Sequence, residues 1–340
     1  MNSIMVVDDN PVNLRYIEDQ LSDAYQVIAA KSGEQALSIC SRELPDLILL
    51  DIDMPGMSGF ETIDSLKANT SFQHVPVIFL TANHDADTEI RGLESGAVDF
   101  ITKPFEKRIL LHRLELHLRI SGYQRQLENT VRELSDSLGA SFSELIECRD
   151  ANTGGHVVRA SRYVKLLGYE LQKRGLFVDE LSDYQVDMIV RAAPLHDIGK
   201  VSISDAILLK PSSLAPSEFD IMKEHTVLGE DILRAMFRRT PTQRYLQYAI
   251  VIAKSHHEKY NGTGYPLGKS GEEIPLCARI MAVADVYDAL VSDRVYRKAI
   301  SRDEAHSIIM AGRGEQFDPT VADVFDAIFD EISHETFSMN

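Results

Sequence analysis

Five short apolar runs, "SIMVVDD", "YQVIAA", "DLILLDI", "VPVIFLTA" and "DFITKP", punctuate the first 120 residues, with segments of helical periodicity between and after them. Runs of this kind bury both faces. Strands that do so in rhythm with helices form a parallel sheet covered on both sides. The helical segments fall near residues 11–23, 33–43, 58–68, 85–95 and 105–120. In such folds ligands sit at the carboxyl ends of the strands. Those ends carry Asp8 and Asp9 after the first strand, Asp51 and Asp53 at the third, Thr81 after the fourth and Lys103 after the fifth.

Carboxylates crowded at one edge repel one another unless a hard cation neutralises them, and Mg2+ suits all-oxygen ligation with retained waters. One carboxylate can then act as a nucleophile toward phosphorus. Lys103 brings a compact, mobile ammonium to the acceptor or its phosphoryl oxygens, and the Thr81 hydroxyl can hydrogen-bond one of them. Helix capping explains any one of these positions but not their convergence. Together "VVDD", "DLILLDIDMPGMSGFE", "FLTA" and "DFITKPF" resemble the receiver domain of two-component response regulators, over about residues 3–120. The resemblance implies a flavodoxin-like, doubly wound, five-stranded parallel α/β sheet, phosphorylation on Asp51 and a sensor histidine kinase as partner. It also implies Mg2+ held by Asp8, Asp9, Asp51 and the main-chain carbonyl of Asp53, with Thr81 and Phe100 as the switch pair. Asp53 stands where relatives often carry Asn, Met or Arg, and its charge is expected to alter phosphate lifetime.

No proline interrupts residues 105–150. Leu111, Leu114 and Leu118 form a stripe expected to pack on the sheet. Leu127, Val131, Leu134, Leu138 and Leu145 then fall at heptad-like spacing among polar neighbours, the pattern of a narrow two-helix seam. Two readings stay open: a parallel homodimer, or one amphipathic helix lying on its own domain. A helix continuous from the first domain would pass torsion or shear onward. The expected organisation is multidomain, with a first domain over 1–121, a helical linker over 122–145 and a second domain over 146–340.

From about residue 140 the helical period dominates, so the second domain is expected to be all-α. Potential metal ligands recur at its helix ends or faces: His156, His196 with Asp197, His225, His256 with His257 in "SHHEKYNGTGYP", and Asp285. Consecutive helical residues point about 100° apart, so the "HD" and "HH" pairs would address two neighbouring ions, with Asp197 offering one oxygen to each. Imidazoles with a few carboxylates suit Fe, Mn, Ni or Zn rather than Mg or Ca. A pair of such ions binds a phosphate diester and generates hydroxide between the two. His74, His84, His112, His117, His306 and His334 are read as satisfied core histidines.

In that order, "HDIGK", "HHE…NGTGYP" and "VADVYDAL" resemble the HD-GYP family of cyclic di-GMP phosphodiesterases, over about residues 140–330. The resemblance implies one ion on His156, His196, Asp197 and Asp285, and a second on Asp197, His225, His256 and His257. Lys200 would act with Asp197 in catalysis, near the scissile phosphate. Arg294 and Arg297 in "SDRVYRK" would contact substrate phosphates, and Gly264, Tyr265 and Pro266 would form a pocket wall or partner surface. Some relatives place a metal-binding glutamate four residues before the first histidine; here that residue is Asn152. Two ions rather than three are therefore expected, with Asn152 capping the helix that starts near Gly155 and Glu147 as a substitute acid. The function so implied is hydrolysis of cyclic di-GMP to pGpG under control of Asp51 phosphorylation, with onward hydrolysis to GMP left open. The alternative is a slow or inactive cyclic di-GMP sensor docking a GGDEF-domain partner.

Composition excludes several other classes. With 35 basic and 52 acidic residues the formal charge is −17, which opposes binding to nucleic-acid polymers. No apolar run is long enough for a bilayer, and "MNSIMVVDDN" lacks the basic start of a signal peptide. Three scattered cysteines without a C-x-x-C pair fit a reducing cytoplasm.

Overall fold

Strands β1 (Ser3–Val7), β2 (Gln26–Ala30), β3 (Leu47–Asp51), β4 (Val77–Thr81) and β5 (Asp99–Thr102) form an all-parallel sheet in the order β2-β1-β3-β4-β5. The computed structural model describes residues 1–69, 72–82, 86–149, 155–293 and 298–335, and falls into two units, Met1–Arg132 and Glu133–Asn340. Period-two alternation in the strands builds two cores, one on each face of the sheet. Met5, Val7, Ile48, Leu50, Val77 and Phe79 pack with α2 (Gly33–Cys40) and α3 (Gly59–Ala68). Ile4, Val6, Leu47, Leu49, Ile78 and Leu80 face α1 (Pro11–Leu21) and Leu110 and Leu114 of α5 (Lys107–Arg149), while α4 (Ala86–Glu94) links β4 to β5. Burying each such side chain stabilises the fold by about 1.5–3 kcal/mol.

Strand order reverses between β1 and β3, so the crevice at their carboxyl ends lies between Asp8 and Asp51. Local chemistry fixes the turns around it. Asn10 accepts from the Val12 amide, with Pro11 at the first helical position of α1. Ser58 and Glu61 form a capping box on α3.

The segment expected as a helix over 105–120 and the connector after it are one element, α5, of 43 residues. Leu111 and Leu118 pack against the sheet core as expected. Leu127, Val131, Leu134, Leu138 and Leu145 are all exposed.

The second unit is helical: α6 (His156–Lys173), α7 (Asp183–Ala192), α8 (Asp205–Leu208), α9 (Pro216–Lys223), α10 (His225–Arg239), α11 (Tyr245–Ser255), α12 (Leu276–Val291), α13 (Arg302–Ala311), α14 (Pro319–Ala327) and α15 (Phe329–Glu335). Tyr163, Leu167, Leu233, Ala249, Ile252, Ile280, Tyr287 and Phe325 anchor one continuous core. α6 packs on α7 and α12, and α11 on α7, α10 and α12. This arrangement brings the start of α6, the turn after α7, the start of α10 and the end of α11 around the middle of α12.

Two expectations fail here. The "HD" and "HH" pairs are not on helices: His196 and Asp197 occupy a turn between the short 3-10 segments Ala193–Leu195 and Ile198–Ser202, and His256 and His257 a turn after α11. Pro194, which has no amide hydrogen, stands where α7 would have continued. Lys200 lies in the 3-10 turn beside Asp197. His74, His112, His117 and His306 are not core residues. His112 is exposed, and the others pair near the surface with Glu128, Asp99 and Asp326. His84 lies outside the described residues, as does the side chain of His334.

Candidate metal centre

Seven ligand candidates converge in the second unit as two clusters: His156, His196 and Asp285 in one, Asp197, His225, His256 and His257 in the other, each with ligand atoms within 4.8 Å of one another. His156 opens α6 immediately after Gly155, whose φ of 101° is a left-handed conformation that glycine adopts without strain. Asp285 comes from α12, His225 starts α10, and the remaining four stand on the two turns.

Asp197 is the hub. Its Oδ1 lies 3.2 Å from the His225 Nε2 and 3.5 Å from the His256 Nε2, while its Oδ2 lies 3.4 Å from the His196 Nε2 and 2.8 Å from the Lys200 Nζ. The first cluster is comparably tight, with Asp285 Oδ1 3.5 Å from the His156 Nε2 and 3.9 Å from the His196 Nε2.

The donor set fits metal ions on two independent grounds. First, each of four imidazoles gives its Nδ1 proton away from the pocket. His196 donates to the Ala193 carbonyl (3.0 Å), His225 to Met222 (2.7 Å), His256 to Ile252 (3.0 Å) and His156 to the Asp288 carboxylate (2.7 Å). Outer partners of this kind fix the tautomer that leaves the Nε2 lone pair facing inward. Second, the Nε2 atoms of His196, His225 and His256 and the Oδ1 of Asp197 are buried without a hydrogen-bond partner. Their contacts have ion-pair distances but not hydrogen-bond geometry, as ligands gathered around a common centre do. Buried polar atoms left this way are costly unless something pairs them.

Burial and neighbouring charge shift the ionisable groups. Burial alone would lower His196, yet the Asp197 and Asp285 carboxylates outweigh it and push the imidazole up to about 9. Burial dominates at His256, which is lowered, and at His257, which with His256 beside it is held well below the ordinary value. Asp197 and Asp285 are held below the usual carboxylate range: burial would raise them, but Lys200 and His196 outweigh it at the first and His196 and His156 at the second.

The loop "NGTGYP" closes one side. Buried Glu258 accepts from the amides of Leu267 (2.7 Å) and Lys269 (3.0 Å). A Cβ on Gly264 would meet the Lys259 nitrogen at 2.2 Å, so only glycine fits that turn. Half-buried Tyr265 sets its ring 4.8 Å from that of His257, and Pro266 follows beside it. Sequence reasoning missed three further residues. Asp288, one helical turn from Asp285, receives His156 and also Arg159 (2.7 and 3.0 Å). Arg149 donates to Asp205 (2.9 Å) and to the carbonyls of Val201 and Ile203 (both 2.9 Å). Only the spacing of Asp285 and Asp288, three apart on one helix face, was available as a hint. Arg294, Arg297 and Asn152 lie outside the described residues.

The edge of the parallel sheet holds the other set. Asp8, Asp9 and Asp51 offer ligand atoms within 4.8 Å of one another, with Asp8 and Asp51 buried. Lys103 bridges the buried pair, 2.7 Å from Asp8 Oδ2 and 3.0 Å from Asp51 Oδ1. Burial raises Asp51, and the Lys103 ammonium opposes that rise. Asn13 donates to both Asp8 oxygens (3.1 Å each), another contact the sequence did not announce. Thr81 is buried at the end of β4, and Phe100 packs 5.5 Å from Phe79 on the neighbouring strand. Asp53 is exposed in the loop after β3.

Geometry thus gathers three carboxylates and a lysine at the sheet edge in one unit and two clusters of candidate metal ligands in the other. A family model described as the HD domain matches residues 142–321, and one described as the response regulator receiver domain matches residues 4–115. Over 338 residues the chain is 42% identical to a probable cyclic di-GMP phosphodiesterase of Vibrio cholerae serotype O1, covering 95% of this chain and 77% of that protein. It is 36% identical over 338 residues to the cyclic di-GMP phosphodiesterase response regulator RpfG of Xanthomonas campestris pv. campestris, covering 94% and 86%. A cyclic di-GMP phosphodiesterase of Thermotoga maritima is 33% identical over 355 residues, covering 97% and 91%. These findings define the class as a receiver followed by a metal-dependent hydrolase domain. The chain belongs to the response regulators that carry an HD domain of the HD-GYP type.

Proposed function

We propose that this response regulator hydrolyses cyclic di-GMP to pGpG at the Asp197 centre, under the control of phosphorylation on Asp51. The observation that carries the proposal is one carboxylate placed between two imidazole clusters in which the Nε2 atoms of His196, His225 and His256 have no hydrogen-bond partner. Two transition ions (Fe, Mn, Ni or Zn) held there would supply phosphodiester binding and acidify an attacking water. His156, His196 and Asp285 would hold one, His225, His256 and His257 the other, with Asp197 shared.

The chain's own groups do the rest. Lys200, paired with Asp197 at 2.8 Å, would offer a proton and a positive charge to the leaving oxygen. Tyr265, whose ring lies 4.8 Å from that of His257, would wall the pocket on that side with Gly264 and Pro266. Arg294 and Arg297 would contact the flanking phosphates, as bidentate guanidinium donors do. At the receiver edge, Asp8, Asp9 and Asp51, with the Asp53 carbonyl, would hold Mg2+ while Lys103 neutralises the phosphoryl group delivered by a sensor kinase. Thr81 and Phe100 would then respond to that group. The receiver would occupy 1–121, the linker 122–145 and the HD-GYP domain 146–340.

Two copies would pair through α5, whose exposed Leu127, Val131, Leu134, Leu138 and Leu145 repeat at heptad-like spacing. No helix among the described residues is long and apolar enough to cross a membrane, which fits the proposed cytoplasmic site of action. The deciding experiment measures pGpG released from cyclic di-GMP by metal-reconstituted protein and by Asp197→Ala. Turnover in the first and none in the second supports the proposal. Equal absence of turnover with tight cyclic di-GMP binding supports the sensor reading instead, with a GGDEF-domain protein as the docking partner.

A further inference from the structure

We propose that Glu147, on the last turns of α5, is a further protein ligand of the ion held by His156, His196 and Asp285; the inference rests on the hydrolase reading above. Glu147 is only 6% exposed, and its Oε2 has no hydrogen-bond partner. Its Oε1 lies 3.6 Å from the His156 Nε2, the nitrogen left open when Nδ1 donates to Asp288. Glu147 is not one of the trio whose ligand atoms fall within 4.8 Å of one another. Its distance to His156 nevertheless matches the 3.5 Å that separates Asp285 from the same nitrogen. Two atoms bound about 2.1 Å from one tetrahedral ion stand roughly 3.4 Å apart, so both carboxylates sit at the spacing of co-ligands.

An ordinary ion pair with His156 does not account for the arrangement. It would require both ring nitrogens to be protonated, surrounded by Glu147, Asp285 and Asp288, and would still leave Oε2 without a donor in a buried place. An unpaired buried carboxylate is destabilising unless a cation satisfies it. Position is secured from two residues further on. Arg149 clamps the end of α5 to Asp205 and to the carbonyls of Val201 and Ile203, on the segment that follows His196 and Asp197. The acid therefore enters the pocket from a helix end tied to the turn that carries the hub residue.

The test compares full-length wild type, Glu147→Gln and Glu147→Ala, with Glu133→Gln, an exposed acid of the same helix, as control. Each is loaded with Co2+ and dialysed against graded chelator, and the ions per chain are counted by elemental analysis. Wild type and the control are expected to keep two ions. Both Glu147 variants are expected to lose one of them at a chelator concentration at least tenfold lower, with a changed visible Co2+ spectrum. Thermal melts give a second readout. Without ions Glu147→Gln melts at or above wild type, because an unpaired buried charge is gone; with ions it melts below.

Wild type that holds two ions while the variants hold them as tightly overturns the ligand role. So does a variant that melts lower in the ion-free state, which would mark a structural pair with His156. Wild type that takes up no ion at all overturns the hydrolase reading itself.

Discussion

Gly199 lies against the His225 carbonyl so closely that a Cβ on it would stand 1.9 Å from that oxygen and 2.5 Å from the Gly229 nitrogen. The contact is backbone on backbone, so no side chain can yield. It seats the turn carrying Asp197 directly on the start of α10, where His225 stands. Gly199→Ala is expected to push that turn away, lowering stability by about 1–3 kcal/mol or more and parting Asp197 from His225. Thermal melts and ion counts check this; an alanine variant with the wild-type melting point and full ion content would remove the structural reason for glycine in "HDIGK".

Because Asp197 touches imidazoles of both clusters, it differs in kind from the other candidate ligands. Asp197→Asn preserves shape but removes the charge. It is expected to lose both ions in the chelator series, whereas His156→Ala and His257→Ala should each lose one. Turnover of cyclic di-GMP by Asp197→Asn should drop roughly 100-fold or more, beyond the range typical when only an outer partner of a ligand is removed. An Asp197→Asn protein that retains one ion at wild-type affinity contradicts a shared carboxylate.

Much of this site was legible because its chemistry sits at boundaries the sequence marks. Asp8, Asp51, Thr81 and Lys103 follow apolar runs that can only be buried strands, and the histidines stand beside Gly, Pro or a helix start. What was not legible is whatever tertiary packing decides. The "HD" pair leaves the helix at Pro194 and is held by the approach of Gly199 to α10, which no local pattern encodes. Asp288, Asn13 and Arg149 act on ligands or their turns from distant or ordinary-looking positions; Asp288 is 132 residues from His156. Histidines such as His117 and His306 pair with acids near the surface, an arrangement that a lone His in a sequence does not distinguish from a core residue.

At the receiver edge, Lys103 reaches both Asp8 and Asp51, so the proposed acceptor carboxylate is already presented to a cation on one side. Incubation with acetyl phosphate and Mg2+ is expected to add one phosphoryl group to wild type and none to Asp51→Asn, read by intact mass. Phosphorylation of Asp51→Asn at the wild-type level would move the acceptor elsewhere.

The three cysteines report the packing separately. Burial pushes Cys40 up to about 11 and Cys277 up to about 12, whereas Cys148, next to Glu147 on α5, is exposed. Thiolates, not thiols, react with disulfide reagents. At pH 8 the native protein should therefore release one equivalent rapidly with a chromogenic disulfide, and three after denaturation. Two or more rapid equivalents would mean that one of the two cores is open.

Glu230 offers a test of how the ligand-bearing helices are held together. It lies on α10, five residues after His225, and its carboxylate pairs with Lys254 on α11 at 2.6 Å and with Arg234 at 2.7 Å; His256 follows Lys254 by two. Burial would raise this carboxyl, but the two cations hold it below the ordinary carboxylate value. A group whose folded value is depressed contributes stability above its unfolded value, and loses that contribution as the pH falls through the folded one. Wild type should therefore melt higher than Glu230→Gln at pH 7, and the gap should close as the pH drops below the ordinary glutamate range of about 4.3. The difference between the two melting curves isolates this group from the other carboxylates that titrate in the same window. A gap that persists unchanged at pH 3 would mean that the glutamate acts through shape rather than charge, and that α10 and α11 are joined by their apolar contacts alone.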